Sequence, residues 1–199
     1  MKRHLFAFFV AALVGVGAHA QTAPVEIVKH AVVGTVDAMK KDAAARGGDM
    51  AKITQIVQKN FIPATDFART VRIAVGPAVF KQATPEQQKE LTEQFSTLMT
   101  GIYAASLAQL GTQDASFAFN EQTATPNDVL VMSTVTTPGD GQTVGYRLGK
   151  AGNDWKIYDI DMAGAWLIQV YQGQFKEQLQ RGGVPGLINF LKLHNARTQ

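Results

Sequence analysis

No cysteine occurs anywhere in the 199 residues. That absence excludes disulfides, thiolate metal sites and cysteine nucleophiles together, so the fold must stand on its core alone. Histidine is scarce as well. Past residue 20 only His30 and His194 remain, at opposite ends of the chain and without a second ligand at metal spacing. That pattern points to surface histidines and away from a metal site. Phosphate-cradling glycine loops, dinucleotide fingerprints and a Gly-x-Ser-x-Gly nucleophile elbow are all missing. There is no internal repeat and no low-complexity segment. Past the first twenty residues no apolar run is long enough to span a bilayer. What the chain does have is apolar material, at 46% hydrophobic residues, which is ample for a core.

The first twenty residues read as a cleaved secretory signal. Lys2 and Arg3 precede an apolar run from Leu5 to Ala18, and Ala18-His19-Ala20 has the small-x-small form that a signal peptidase requires. The run is too short for a membrane anchor, and no cysteine follows to accept a lipid, so the expected product begins near Gln21. Losing Lys2 and Arg3 lowers the formal net charge from +3 to +1. Residues 21–84 carry nine basic and five acidic groups, against eight and eleven in 85–199. That asymmetry is too dilute for nucleic acid, which export also argues against. It would suit anionic head groups or an acidic protein.

The chain is organised around Ala83–Gly111. Thr84, Pro85 and Gln87 form a helix start with a capping box, and Gly111 is placed to end the helix. Leu91, Phe95, Leu98, Ile102 and Ala105 share one face, which Met99, Tyr103 and Leu110 widen to about 160°. So broad a face needs more than one cover: either a second helix or an apolar ligand. Before it, helices are expected from Pro24 to about Arg46, from Asp49 to before Pro63, and from Asp66 to Phe80 with a break at Gly76-Pro77. After Gly111 the pattern changes to short strands. Ala115–Glu121, Asp128–Thr137, Gln142–Leu148 and Trp155–Met162 are joined by turns at Pro138-Gly139-Asp140-Gly141 and Ala151-Gly152-Asn153-Asp154. Turns this short imply an antiparallel meander. A helix from Ala165 to Arg181 then spreads its apolar residues over about 220°, Gly182-Gly183 breaks it, and a short apolar helix follows to Asn195.

Chemistry is thinly represented. Asp159 and Asp161 share a strand face, so a cavity enzyme using them as an acid/base pair is one reading. Strand closure and ordinary pairing with a lysine or a backbone amide are the plainer account. Aromatic residues cluster on the central helix, the meander and the helix after it: Tyr103, Tyr146, Trp155, Tyr158, Trp166 and Tyr171. They serve either as core in a ligand-free adaptor or as walls of an apolar pocket.

Three blocks of the sequence resemble the MlaC family, also known as the toluene-tolerance auxiliary family. The first runs from Asp66-Phe67-Ala68-Arg69 through Ala83-Thr84-Pro85-Glu86-Gln87 to Phe95 and Tyr103. The second is Val144-Gly145-Tyr146-Arg147-Leu148 with Trp155-Lys156-Ile157-Tyr158-Asp159-Ile160. The third is Ala163-Gly164-Ala165-Trp166-Leu167-Ile168 with Tyr171-Gln172-Gly173-Gln174-Phe175, Gly182-Gly183 and Gly186-Leu187-Ile188. Two positions depart from the family pattern: Ala163 stands where an acidic residue is common, and Gln172 where an arginine is.

The resemblance implies an α+β fold, with an N-terminal helical layer packed on a curved antiparallel β-meander and C-terminal helices. The outline is similar to the cone of nuclear transport factor 2. Residues 1–20 would be the signal and 21–199 one lipid-binding domain, helical over 21–111, sheet over 112–163 and helical again over 164–199. The implied function is a periplasmic phospholipid carrier. It would shuttle lipid between an outer-membrane lipoprotein complex and an inner-membrane ABC transporter bearing a lipid-binding hexamer, and so maintain outer-membrane lipid asymmetry. It would be no enzyme, would use no cofactor or metal, would bind no nucleic acid and would act as a monomer. The apolar positions expected to face its cavity are Phe95, Leu98, Met99, Ile102, Tyr103, Val131, Tyr146, Trp155, Ile157, Trp166, Val170 and Phe175.

Overall fold

The computed structural model describes residues 22–162 and 164–198, so the expected signal segment lies outside the described residues. Helices α1 (Pro24–Lys41), α2 (Ala43–Arg46), α3 (Met50–Asn60), α4 (Phe67–Val75), α5 (Pro77–Gln82) and α6 (Pro85–Gly111) come first. Strands β1 (Ser116–Thr125), β2 (Asp128–Thr137), β3 (Asp140–Ala151), β4 (Asp154–Met162) and β5 (Ala165–Trp166) follow, and α7 (Leu167–Thr198) closes the chain. The fold is α+β, with a five-stranded antiparallel sheet in the order β1-β2-β3-β4-β5.

The helix boundaries follow from local chemistry. Asp42 turns the expected first helix into two, because its side chain accepts hydrogen bonds from the Ala44 and Ala45 amides and starts α2. Asp49 caps α3 and Asp66 caps α4 in the same way. Gly76, at φ +94°, separates α4 from α5. The capping box of α6 is complete: the Gln87 amide donates to Thr84 Oγ1 at 3.2 Å, and the Thr84 amide donates to Gln87 Oε1 at 3.0 Å. α1 has no side-chain cap of its own. Glu121 of β1 supplies one from 96 residues away, accepting from the Val25 amide at 3.0 Å and fixing α1 across the sheet.

α6 ends at Gly111 as expected, but the C-cap is Thr112 and the glycine serves another purpose. Its φ is not positive; a Cβ there would sit 3.2 Å from the Met39 Cβ, so the glycine permits close approach of α1 and α6.

Register and alternation set the two faces of the sheet. Val129, Val131, Ser133 and Val135 of β2 are buried and lie opposite Leu148, Tyr146, Val144 and Gln142 of β3. Tyr146 and Val144 in turn pair with Ile160 and Met162 of β4. A bulge at Tyr158 shifts the register between Arg147 and Leu148. Its freed carbonyl accepts from the Thr70 hydroxyl at 2.7 Å, and the Asp66 amide donates to the Ile157 carbonyl at 2.8 Å. The start of α4 is thereby pinned to β4. Ala165 and Trp166, expected as the first turn of a helix, instead pair with Met162 and Asp161 as β5. α7 is broken at Gly183, as the double glycine predicts, at φ +60° and ψ −158°.

α6 packs against α1, α3, α4 and α7. Phe95 sits at the crossing, fully buried and edge-on to Phe67, Tyr171 and Phe175. Behind the opposite face of β3, Arg69 of α4 lies 3.8 Å over the Tyr158 ring and pairs with Asp128 at 2.6 Å. Gly149 leaves the room for it, since a Cβ there would overlap the guanidinium. Gly149→Ala is therefore expected to expel Arg69 from both partners and destabilise the fold by about 1 kcal/mol, through loss of the ion pair and the cation–π contact. A urea melt checks this, and a loss below half a kilocalorie would show that the Arg69 cradle is dispensable.

Candidate functional site

A cavity of about 450 Å³ opens between the C-terminal half of α6, α1 and the helix-covered face of the sheet. Its depth is apolar and buried: Val32, Phe61, Tyr103, Val135, Tyr146 and Ile160. Leu107, Leu110, Val144 and Met162 are half-buried and continue the walls outward. The rim is polar and exposed, formed by Gln109, Gln113 and Asp114 from the end of α6 and by Asp140 and Gln142 from the β2–β3 hairpin. This gradient from apolar floor to polar rim suits an amphiphile that buries its tail and leaves its head in water.

Local sequence explains why these residues meet. Tyr103, Leu107 and Leu110 recur at four and three along α6 and form one row. Val135, Val144 and Met162 lie on one face at the same end of adjoining strands. The two-residue Pro138-Gly139 loop, with Gly139 at φ +88°, folds the β2–β3 hairpin back beside that end.

The cavity carries no charge in its depth. Burial pushes the Tyr103 phenol up, beyond the ordinary tyrosine range. Burial likewise pushes Tyr146 up to about 12, partly offset by a long hydrogen bond that the Ser133 hydroxyl donates to it at 3.5 Å. Both phenols are neutral at physiological pH, as an apolar cargo requires.

Of the twelve positions expected to face a cavity, Tyr103 and Tyr146 line this one. Leu98 and Ile102 line a separate surface groove between α3 and α6, of about 750 Å³, together with Met50, Thr54 and Ile62. Phe95, Met99, Val131, Ile157 and Phe175 are fully packed core, and Trp155 is buried beside Lys150. Trp166 lies on the opposite face of the sheet, beneath the Arg147 guanidinium at 3.7 Å. Val170 is 40% exposed. Val32, Phe61, Leu107, Val135, Val144, Ile160 and Met162 complete the cavity without having been expected there. The signal for Val135 and Val144 was the same strand alternation that selected Val131 and Tyr146.

Asp159 and Asp161 sit on the sheet face opposite the cavity, in register with Arg147 and Gly145. The Asp159 side chain is wholly buried. Its Oδ1 accepts from the Ile160 and Ile168 amides, and its Oδ2 pairs with Arg147 at 3.1 Å. Burial raises its pKa, against the opposing effect of those amides and of Arg147. The carboxylate thus holds the first turn of α7 on β4. Asp161 Oδ1 is buried without a hydrogen-bond partner among the described residues. No group of three or more histidine, cysteine or acidic side chains among the described residues is arranged to hold a metal ion. No described helix is long and apolar enough to cross a membrane.

Comparison with known proteins gives a consistent picture. The profile of the family described as MlaC protein matches residues 29–193. Among solved structures, the chain is similar to the phospholipid-binding protein from Ralstonia solanacearum, determined in complex with a phospholipid. The two share 37% identity with a TM-score of 0.80, over 89% of this chain and 99% of that one. The comparison with curated proteins found no match.

Proposed function

The chain belongs to the MlaC family, and from that membership we propose that it is a periplasmic phospholipid carrier. Residues 21–199 act as one lipid-binding domain. Acyl chains enter the cavity between α6 and the sheet while the head group stays at the rim. The observation that carries this reading is the cavity itself, apolar in its depth and polar at its mouth, in a chain 37% identical to a protein solved with a phospholipid bound. Its volume lies within the range of roughly 300–1,000 Å³ typical of small-molecule sites.

The physical need for such a carrier is large. At about 0.8 kcal/mol per methylene, roughly thirty acyl methylenes would cost on the order of 25 kcal/mol to expose to water. A protein that shields the chains removes most of that barrier. No bond is made or broken, so binding and transport rather than catalysis is the fitting activity. The partners in this reading are an outer-membrane lipoprotein complex and an inner-membrane ABC transporter with its lipid-binding hexamer, and the carrier shuttles lipid between them to maintain outer-membrane asymmetry.

The test is purification of the exported protein without detergent, followed by native mass spectrometry and solvent extraction. Phospholipid bound at close to one molecule per chain is expected. Only apo protein, with no lipid extracted, would falsify the carrier reading.

A further inference from the structure

We propose that the rim of the cavity selects phospholipids whose head group ends in a primary ammonium over those with a net negative head. The inference rests on the carrier reading above. Three sources of negative potential converge at the mouth. Asp114 and Asp140 are exposed lining residues, one from each side of the opening. The third is the C-terminus of α6, a 27-residue helix that ends at Gly111 beside the rim, with no basic residue in its last turn. The carbonyl end of such a helix carries about half a negative charge.

No lysine or arginine among the described residues lines the cavity. Lys40 and Lys41 follow Met39, which packs on Gly111, yet neither contributes to the walls. Asp140 accepts from the Gly141 amide at 2.8 Å and from the Gln142 side chain at 3.4 Å, both neutral donors that leave its charge in place. Asp114 has no ion pair among the described residues. The other rim side chains, Gln109, Gln113 and Gln142, add amide oxygens that can accept from an ammonium.

The tail direction fixes which part of the lipid meets this potential. With acyl chains on the apolar floor, the head group emerges between Asp114 and Asp140. An ethanolamine ammonium can donate to those carboxylates and to the glutamine amides. A glycerol head leaves the phosphate charge uncompensated against two carboxylates and a helix C-terminus. Exposed charges act weakly, so the expected preference is about five- to tenfold at low ionic strength and shrinks with added salt.

The experiment loads delipidated full-length mature protein from vesicles of equal parts phosphatidylethanolamine and phosphatidylglycerol with matched acyl chains. Bound lipid is then extracted and both classes are quantified. Phosphatidylethanolamine should exceed phosphatidylglycerol severalfold. The double variant Asp114→Asn with Asp140→Asn should lose the preference, with the ratio of the two bound lipids falling to near unity. Equal uptake of both lipids by the unaltered protein, or a ratio that the double variant leaves unchanged, overturns the head-group inference alone. Failure to bind either lipid overturns the carrier reading, and the head-group inference falls with it.

Discussion

Leu107→Glu is expected to empty the cavity while leaving the protein folded. Leu107 lies between Tyr103 and Leu110 in the row that α6 turns toward the sheet, and it is half-buried. In the unloaded protein a glutamate there reaches water, so the fold survives with a modest loss. Once an acyl chain fills the cavity, the same carboxylate must lose its water against methylenes, at a cost of several kilocalories per mole. A difference of about 3–4 kcal/mol corresponds to a loss of roughly two to three orders of magnitude in affinity. Lipid extracted per chain should therefore fall below detection, with the circular dichroism melt showing a folded protein. Val170→Glu is the control. Val170 is 40% exposed on α7 and lines no cavity among those described, so lipid content should be unchanged. Retention of lipid by Leu107→Glu together with its loss in Val170→Glu would move the site to the outer face of α7.

Leu107 and Val170 are both apolar helix residues, and only tertiary placement puts one in the cavity and the other at the surface. Local signals placed most elements well. Thr84-Pro85-x-Gln87 set the start of α6, Asp49 and Asp66 set their caps, and β2 runs over Asp128–Thr137 as its β-branched pattern predicts. These features depend on neighbours within four residues. The elements that were missed depend on distant ones. β5 exists because Ala165 and Trp166 find Met162 and Asp161 across the turn at Gly164, which overrides the helical periodicity of the residues that follow. The bulge at Tyr158 is held by Thr70, 88 residues away.

The cavity residues show the same division. Alternation correctly put Val131, Val135, Tyr146 and Val144 on one sheet face. It carries no information about level along the strand, and level decides the outcome: Val131 is sealed under the helices, while Val135 and Val144 reach the opening. The wide apolar arc of α6 misled in a related way. Most of it is consumed by α3, α4, α7 and α1, and only the row Tyr103–Leu110 is left for the cavity. The even wider arc on the segment after β5 is spent in the same manner. Phe175 and Tyr171 pack on Phe95, which leaves Val170 outside. Apolar excess on a helix signals several contacts without saying which of them is a ligand.

Asp159→Ala is expected to destabilise the fold more than any other polar substitution. It strips the Ile160 and Ile168 amides of their shared acceptor and leaves Arg147 without its carboxylate. Leaving a buried amide without its acceptor costs about 1–3 kcal/mol, and two are left here. For a chain of this size that lowers the melting temperature by on the order of 10 °C. Asp159→Asn keeps an oxygen for both amides and loses only the charge. Arg147 is half-exposed and can turn to water, so the asparagine variant should cost about 1–2 kcal/mol. The pH dependence separates burial from ion pairing. Burial raises the Asp159 pKa above its unfolded value, so between the two the native state binds more protons than the unfolded state. Stability contributed at this site therefore falls as pH rises from the unfolded pKa through the folded one, and is level above it. The melting-point advantage of the unaltered protein over Asp159→Asn should accordingly be greatest in acid and narrow toward neutrality. An advantage that widens with pH would mean that the Arg147 pair outweighs desolvation. Because Asp159 lies on the face away from the cavity, lipid content of Asp159→Asn should match the unaltered protein. A variant that is stable yet empty would give this carboxylate a part in binding that its position does not support.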